Sequence, residues 1–176
     1  ADRAGTNHGV RAAAVSFSPG TVGPAGAFDG SSSGIRVPAS ASLNIGASTS
    51  GISVEIRVKP DALFSNAVCI EYGRIDGVVQ SVLIGLDNTN GVIHGIVAQP
   101  SGATVFPYHL FSDPGTVQTG VWQHFVLVFN RTGANVRLYR NGVQVKQASA
   151  ANVALRTDYE VHLGYRPGST NRFRGT

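Results

Sequence analysis

Apolar and polar positions alternate most cleanly between Ile52 and Lys59. Ile52, Val54, Ile56 and Val58 share one side; Ser53, Glu55, Arg57 and Lys59 share the other. Successive side chains of a strand point to opposite faces, so this pattern predicts an antiparallel strand with one core face and one wet face, ended by Pro60. Residues 121–129 read differently. The two sets, Trp122, His124, Val126, Val128 and Phe125, Leu127, Phe129, are both mostly apolar, which predicts a strand covered on both faces with Trp122 and His124 inside. A turn around Gly133 follows. Arg140-Asn141-Gly142-Val143 then reads as a two-residue hairpin, because Asn-Gly accepts the positive φ of a type I′ turn. That register pairs Tyr139 with Gln144, Leu138 with Val145 and Arg137 with Lys146. Val136, Leu138, Val143 and Val145 then face inward, and Arg137, Tyr139, Gln144 and Lys146 outward. Two directly opposed cations repel mildly, so that outer face is expected to be wet or to meet an anion.

Shorter apolar runs predict further strands at 13–17, 35–37, 67–72, 78–86, 92–98, 104–110 (interrupted by Pro107), 159–165 and from Arg172 onward. Between them lie turn signals, among them residues 73–77, Asp87-Asn88-Thr89-Asn90-Gly91, Asp113-Pro114-Gly115 and residues 166–170. Many short strands with turns roughly every eight to twelve residues predict an all-β fold, a two-sheet antiparallel sandwich. No segment sustains a helical period. Residues 1–25 are Gly- and Ala-rich and weakly patterned, and read as an N-terminal arm or edge strand. Residues 26–176 read as one domain.

Composition narrows the function classes. With 42% apolar residues, 22 Gly and 8 Pro, the chain suits strands and turns rather than disorder or long helices. No apolar run approaches the ~18 residues of a membrane span. The single Cys69 excludes an internal disulfide framework. The net charge is +4, and the basic residues are 12 Arg and two Lys. They are scattered, which argues against nucleic acid. Arginine forks bind carboxylate, sulfate or phosphate, so an anionic glycan is the partner that the charge suggests. There is no Met, so the N-terminus is expected to follow a removed signal peptide or a removed initiator.

Several of these segments resemble the laminin G-like branch of the concanavalin A-like lectins. The residues that carry the likeness are Trp122-x-His124, Leu138-Tyr139-x-Asn141-Gly142 with its following Val143-x-Val145, and Ala27-Phe28-Asp29-Gly30 before Ile35-Arg36-Val37-Pro38. Residues 53–60, 162–165 and Arg172-Phe173-Arg174-Gly175 extend it. The resemblance implies a jelly-roll sandwich over about residues 26–176. In that family a further strand follows the Phe-x-Gly, and here the sequence stops at Thr176. A replacement is expected from residues 12–17, paired within the chain or exchanged with a second copy to give a homo-oligomer, or else from a separate segment of the same protein.

The candidate sites are few. Of the three glutamates, Glu55, Glu71 and Glu160, none belongs to the acid triplet of the family's glucanases. The one close acidic pair, Asp158 and Glu160, shares a strand face with His162 if that stretch is extended. No catalytic residue is assigned. The resemblance implies Ca²⁺, held by oxygen ligands, at Asp29, and the oxygen-rich Asp87, Asn88, Asn90 loop is a second candidate for it. Ligand-binding candidates are Arg137, Tyr139 and Lys146 on one strand face, with Tyr108, beside His109 and Phe111, as a loop alternative. His94 carries a superficial likeness to jelly-roll lyases. Asn130-Arg131-Thr132 is a glycosylation sequon. The leading expectation is a secreted or cell-surface recognition and adhesion module, not an enzyme, that binds a glycan or a protein surface. A structural subunit of a virion or surface assembly is the alternative, and a polysaccharide-active enzyme comes third.

Overall fold

The computed structural model describes residues 5–11, 15–74, 80–101, 104–151, 153–170 and 172–176, and leaves aside the side chains of 80, 88 and 100–107. In chain order the strands are β1 (Val10–Arg11), β2 (Ser16–Pro19), β3 (Pro24–Asp29), β4 (Ile35–Val37), β5 (Gly51–Val58), β6 (Ala67–Gly73) and β7 (Gln80–Asn88). They continue with β8 (Val92–Ser101), β9 (Thr104–Phe111), β10 (Gln123–Asn130), β11 (Asn135–Arg140), β12 (Val143–Ser149), β13 (Glu160–Leu163) and β14 (Arg174–Gly175). All named pairings are antiparallel. A seven-stranded sheet runs β1-β4-β13-β6-β7-β8-β9, a four-stranded sheet β12-β11-β10-β5, and a three-stranded sheet β14-β3-β2. The last two are continuous: Lys59, just past β5, exchanges both backbone hydrogen bonds with Thr176, and Asp61 N donates to Arg174 O. The fold is the all-β sandwich that the pattern predicts, in the jelly-roll form that the resemblance implies.

The core lies between the layers. Ile52, Val54 and Val58 of β5 and Phe125, Leu127 and Phe129 of β10 point into it, with Val136 and Leu138 of β11. Ile84, Leu86, Ile93, Val97 and Leu110 meet them from the seven-stranded sheet. Strand β5 follows its period as predicted, with Ser53, Glu55 and Arg57 exposed. Strand β10 does not. Phe125, Leu127 and Phe129 are buried, whereas Trp122, His124, Val126 and Val128 are half-buried on an outer face. Glu55 stands beside His124, the Lys59 ammonium lies 5.8 Å from the Trp122 ring centre, and Thr21 shares a surface pocket with Trp122 and His124.

The central hairpin also departs from strict alternation. Asn141 and Gly142 take φ of 50° and 81°, as the turn requires, and Tyr139 pairs with Gln144. A bulge then places Lys146 opposite Leu138 and Gln147 opposite Arg137. The cause is visible in the side chains: Val145 and Ala148, three residues apart, both pack on the core, while Lys146 and Gln147 between them are exposed. Period two cannot seat both, and the extra residue re-phases the strand. The predicted Arg137–Lys146 opposition is therefore absent; Arg137 Nε donates to Gln147 Oε1 instead. Pro107 is accommodated because β9 is an edge strand.

The opening strand has partners along its length. Residues 24–27 pair with β2, and Phe28 and Asp29 pair with β14. Within the predicted replacement strand 12–17, Ser16 and Phe17 belong to β2; residues 12–14 lie outside the described residues, as do 75–77 of a predicted turn. Arg131, inside the sequon, is a structural tie: its guanidinium donates to the carbonyls of Ser48, Gly46 and Val153.

Candidate functional site

Cross-strand register aligns polar side chains from distant segments on the outer face of the seven-stranded sheet. One row reads Arg36 (β4), His162 (β13), Glu71 (β6), Leu83 (β7), Ile96 (β8) and His109 (β9). The neighbouring row reads Val68, Gly85, His94 and Phe111. Gly85 matters here, since a Cβ on it would stand 2.8 Å from His94 Nε2. Its bare backbone leaves room for the imidazole. Val68, Leu83, Ile96 and Ala98 form a second, small apolar cluster on this face.

At one end the row is an ion-paired network. Arg36 Nη1 donates to Glu160 Oε1 at 2.8 Å, and Arg166 Nε donates to the fully buried Glu71 at 2.8 Å. Burial raises the Glu71 carboxyl above its ordinary range, while the Arg166 guanidinium pulls it down. His162 is fully buried and its ring packs edge-on against Tyr165. Burial lowers its pKa, against the pull of Glu160 3.4 Å away.

At the other end lies a cavity of about 180 Å³, lined by Asn66, Leu83, Asp87, His94, Ile96, His109, Phe111 and Arg166. His94 is buried, and both of its ring nitrogens lack a hydrogen-bond partner. The nearest carboxylate, Asp87, stands 3.8 Å from Nδ1, beyond hydrogen-bond reach. Burial, helped by the positive charges of His109 and Arg166, pushes the His94 pKa down to about 4. Burial also lowers His109. The Phe111 ring meets both imidazoles edge-on at 5.7 Å and is partly exposed. An orphaned polar side chain is costly to bury, and His94 carries two such atoms at the cavity wall.

The residues singled out from sequence fall in several places. Arg137 and Tyr139 are half-buried on β11, and Lys146 is exposed on β12 at the bulge. Tyr108 lies apart from them: it packs against the main core and its hydroxyl donates to Ala151 O. His109 and Phe111 point the opposite way, into the cavity. Asp158 is outside β13 and bonds Arg156 through both oxygens, so it forms no acid pair with Glu160.

Calcium takes roughly six to eight oxygen ligands. Asp29 Oδ1 already accepts from the amides of Ser31, Ser32 and Ser33 and from Ser33 Oγ, and Oδ2 from Ser32 Oγ. These donors hold its pKa far below the carboxylate range and do a cation's work. Asp87 turns toward His94, the Asn90 carbonyl accepts Gly115 N, and the Asn88 side chain lies outside the described residues. Among the described residues no three His, Cys, Asp or Glu side chains converge. Among the described residues, neither loop presents a set of free oxygen ligands for calcium. No helix is long and apolar enough to cross a membrane.

Comparison with known proteins places this geometry. The model of a family described as the concanavalin A-like lectin/glucanases superfamily matches residues 29–176. No curated protein matches the chain. The binding domain of Paraclostridial Mosquitocidal Protein 1 superposes over 95% of this chain with a TM-score of 0.72 at 13% identity. This chain spans only 41% of that one. Domain 4 of AbnA, an extracellular arabinanase from Geobacillus stearothermophilus solved with arabinotriose, covers 95% of this chain and 77% of its own at TM-score 0.61 and 21% identity. The CBM40 of the Ruminococcus gnavus IT-sialidase, bound to α2,3-sialyllactose, covers 81% and 84% at TM-score 0.59 and 16% identity. The chain belongs to the concanavalin A-like lectin/glucanases superfamily.

Proposed function

We propose that this superfamily member is a non-catalytic recognition module that binds a glycan outside the cell, through the outer face of its seven-stranded sheet. The observation that carries the reading is His94, whose two unpartnered nitrogens line a cavity beside Asp87, Asn66 and Phe111. Sugars are bound by planar polar groups for their hydroxyls and an aromatic surface for their C–H faces, and this cavity supplies both. Two similar folds, the arabinanase domain and the sialidase module, were solved with sugars, which supports the reading. In the proposal residues 26–176 carry recognition and residues 1–25 are an accessory arm.

The carboxylates support a binding role over a catalytic one. Each glutamate is engaged by a basic side chain: Glu55 by His124, Glu71 by Arg166 and Glu160 by Arg36. Acid–base work on a glycosidic bond needs two carboxyls free to exchange protons across it. A glycan array probed with the 176-residue chain tests the proposal. Binding that is lost in His94→Phe supports it; a blank array overturns it in favour of a protein partner.

A further inference from the structure

The cavity beside His94 also has a charge character, and it differs from that of the whole chain. Arg166 is the one cation among the described lining residues, and its guanidinium is spent on Glu71 at 2.8 Å. Burial pushes His94 down to about 4, so its imidazole is neutral at physiological pH, and partial burial lowers the exposed His109 as well, against the pull of Asp87. What remains is the Asp87 carboxylate, its side chain 29% exposed at the rim. A net basic protein thus presents a cavity in which, among the described lining residues, the uncompensated charge is negative.

The orphaned imidazole narrows the ligand further. A neutral imidazole offers one N–H donor and one acceptor nitrogen. Hydroxyl groups both donate and accept, so a polyol satisfies both nitrogens and also donates to Asp87. A carboxylate or sulfate can only accept; it would leave the acceptor nitrogen of His94 unpaired and stand against Asp87. The volume, about 180 Å³, is well below the roughly 300–1,000 Å³ of sites for drug-sized ligands, and suits one ring rather than a chain. The partly exposed edge of Phe111 offers the apolar contact that a sugar ring needs.

We propose that this cavity takes a single uncharged, hydroxylated sugar ring and rejects its carboxylated or sulfated counterparts. The inference rests on the glycan reading above and reverses the anionic preference that the arginine content suggests. Like charges brought together in a desolvated contact cost enough to set the expected discrimination at about a hundredfold or more.

The test uses the full 176-residue chain, a panel of neutral and acidic oligosaccharides that includes arabinotriose, and the matched pair lactose and α2,3-sialyllactose. Affinities are measured by titration calorimetry for the wild type, His94→Phe and Asp87→Asn. The expected result is binding of a neutral member, with acidic members at least about a hundredfold weaker. His94→Phe should lose at least about tenfold in affinity, the worth of one hydrogen bond to a ligand. Asp87→Asn, isosteric and partly exposed, keeps the test alive if the His94 variant fails to fold; it should shrink the discrimination to under about tenfold. Acidic sugars that bind more tightly, with binding lost in either variant, would overturn the charge inference and leave the glycan reading standing. Neutral binding indifferent to both variants would overturn the assignment to this cavity. No binding by any member would overturn the glycan reading and this inference with it.

Discussion

The two outer faces of the sandwich treat polar side chains in opposite ways. On the four-stranded sheet most are solvated or locally satisfied, Asn135 Oδ1 at the end of β11 being an exception: Glu55 meets His124 at 2.9 Å, Arg137 meets Gln147 at 3.1 Å, and Arg57 is exposed. On the seven-stranded sheet Glu71, His94 and His162 are buried, and each has at least one unpartnered polar atom. A polar group in water costs little wherever it stands. One held in a dry layer costs folding energy, so its presence needs another explanation. The half-buried arginine and tyrosine of the four-stranded face are therefore the weaker pointer to function, and the sparse buried polar groups of the other face the stronger one.

The largest effect that separates the faces is at the Arg166–Glu71 pair. Arg166→Ala leaves Glu71 buried without its cation, and is expected to cost about 3–5 kcal/mol of stability in urea denaturation. Adding Glu71→Gln should restore much of that loss, since an amide does not carry the uncompensated charge. Loss below about 1 kcal/mol would mean that the seven-stranded face is as solvated as the other.

Protonation gives a second, smaller contrast. Burial holds His94 down to about 4 from the 6.5 of an unperturbed imidazole. The unfolded chain therefore takes up the proton first, and stability falls as pH drops from 6.5 toward 4. His109 and His162 are lowered too and act in the same direction. Glu71, raised by burial, opposes them, because its folded form holds the proton at pH values where the unfolded chain releases it. By pH 5 His94 alone should cost about 2 kcal/mol relative to neutral pH. Urea titrations at pH 7 and 5 on wild type and His94→Phe should show a flatter dependence in the variant. An unchanged slope would place His94 in contact with water.

How much of this could be read from sequence follows from where each kind of information lies. Strand β5 and the Asn141–Gly142 turn are local, set by period two and by a positive φ, and both stand as read. The bulge in β12 is not local: it exists because Val145 and Ala148 must both reach a core that other strands complete. Trp122 and His124 read as core because their neighbours are apolar, and only the structure shows that their side of β10 is half-buried while Phe125, Leu127 and Phe129 face the core. The cavity was hardest. In the sequence His94, Asp87 and His109 stand apart, each with a separate reading: a lyase likeness, a metal loop and a binding loop. The signal that joins them is the β7–β8 hairpin register, which sets Gly85 opposite His94 and Leu83 opposite Ile96. Arg166 comes from a turn some seventy residues beyond His94. Nothing in a single sequence announces that contact.

On the four-stranded face small effects are expected. Glu55→Ala removes an exposed partner of His124 and should change stability by within about 0.5 kcal/mol, as surface substitutions usually do. Arg137→Ala should behave alike and leave glycan affinity unchanged. A tenfold loss of affinity in Arg137→Ala would move the binding site to this face and restore the cationic reading.

The smallest expected effect concerns calcium, and it sharpens the contrast because Asp87 belongs to the cavity. A cation on Asp87 would cancel the one charge that sets the cavity's preference. Asp29 cannot serve in its place as it stands, since five hydrogen bonds already satisfy its two oxygens. A ligand that binds only the folded state raises the melting temperature in proportion to the logarithm of its concentration over its dissociation constant. Millimolar calcium, or a chelator, should therefore move Tm by less than about 1 °C. A larger rise that disappears in Asp87→Asn would show a metal at the cavity rim, and the lining would then favour anions. A rise that disappears instead in Asp29→Asn would mean that the serine turn opens to admit the ion, leaving the cavity and its neutral preference untouched.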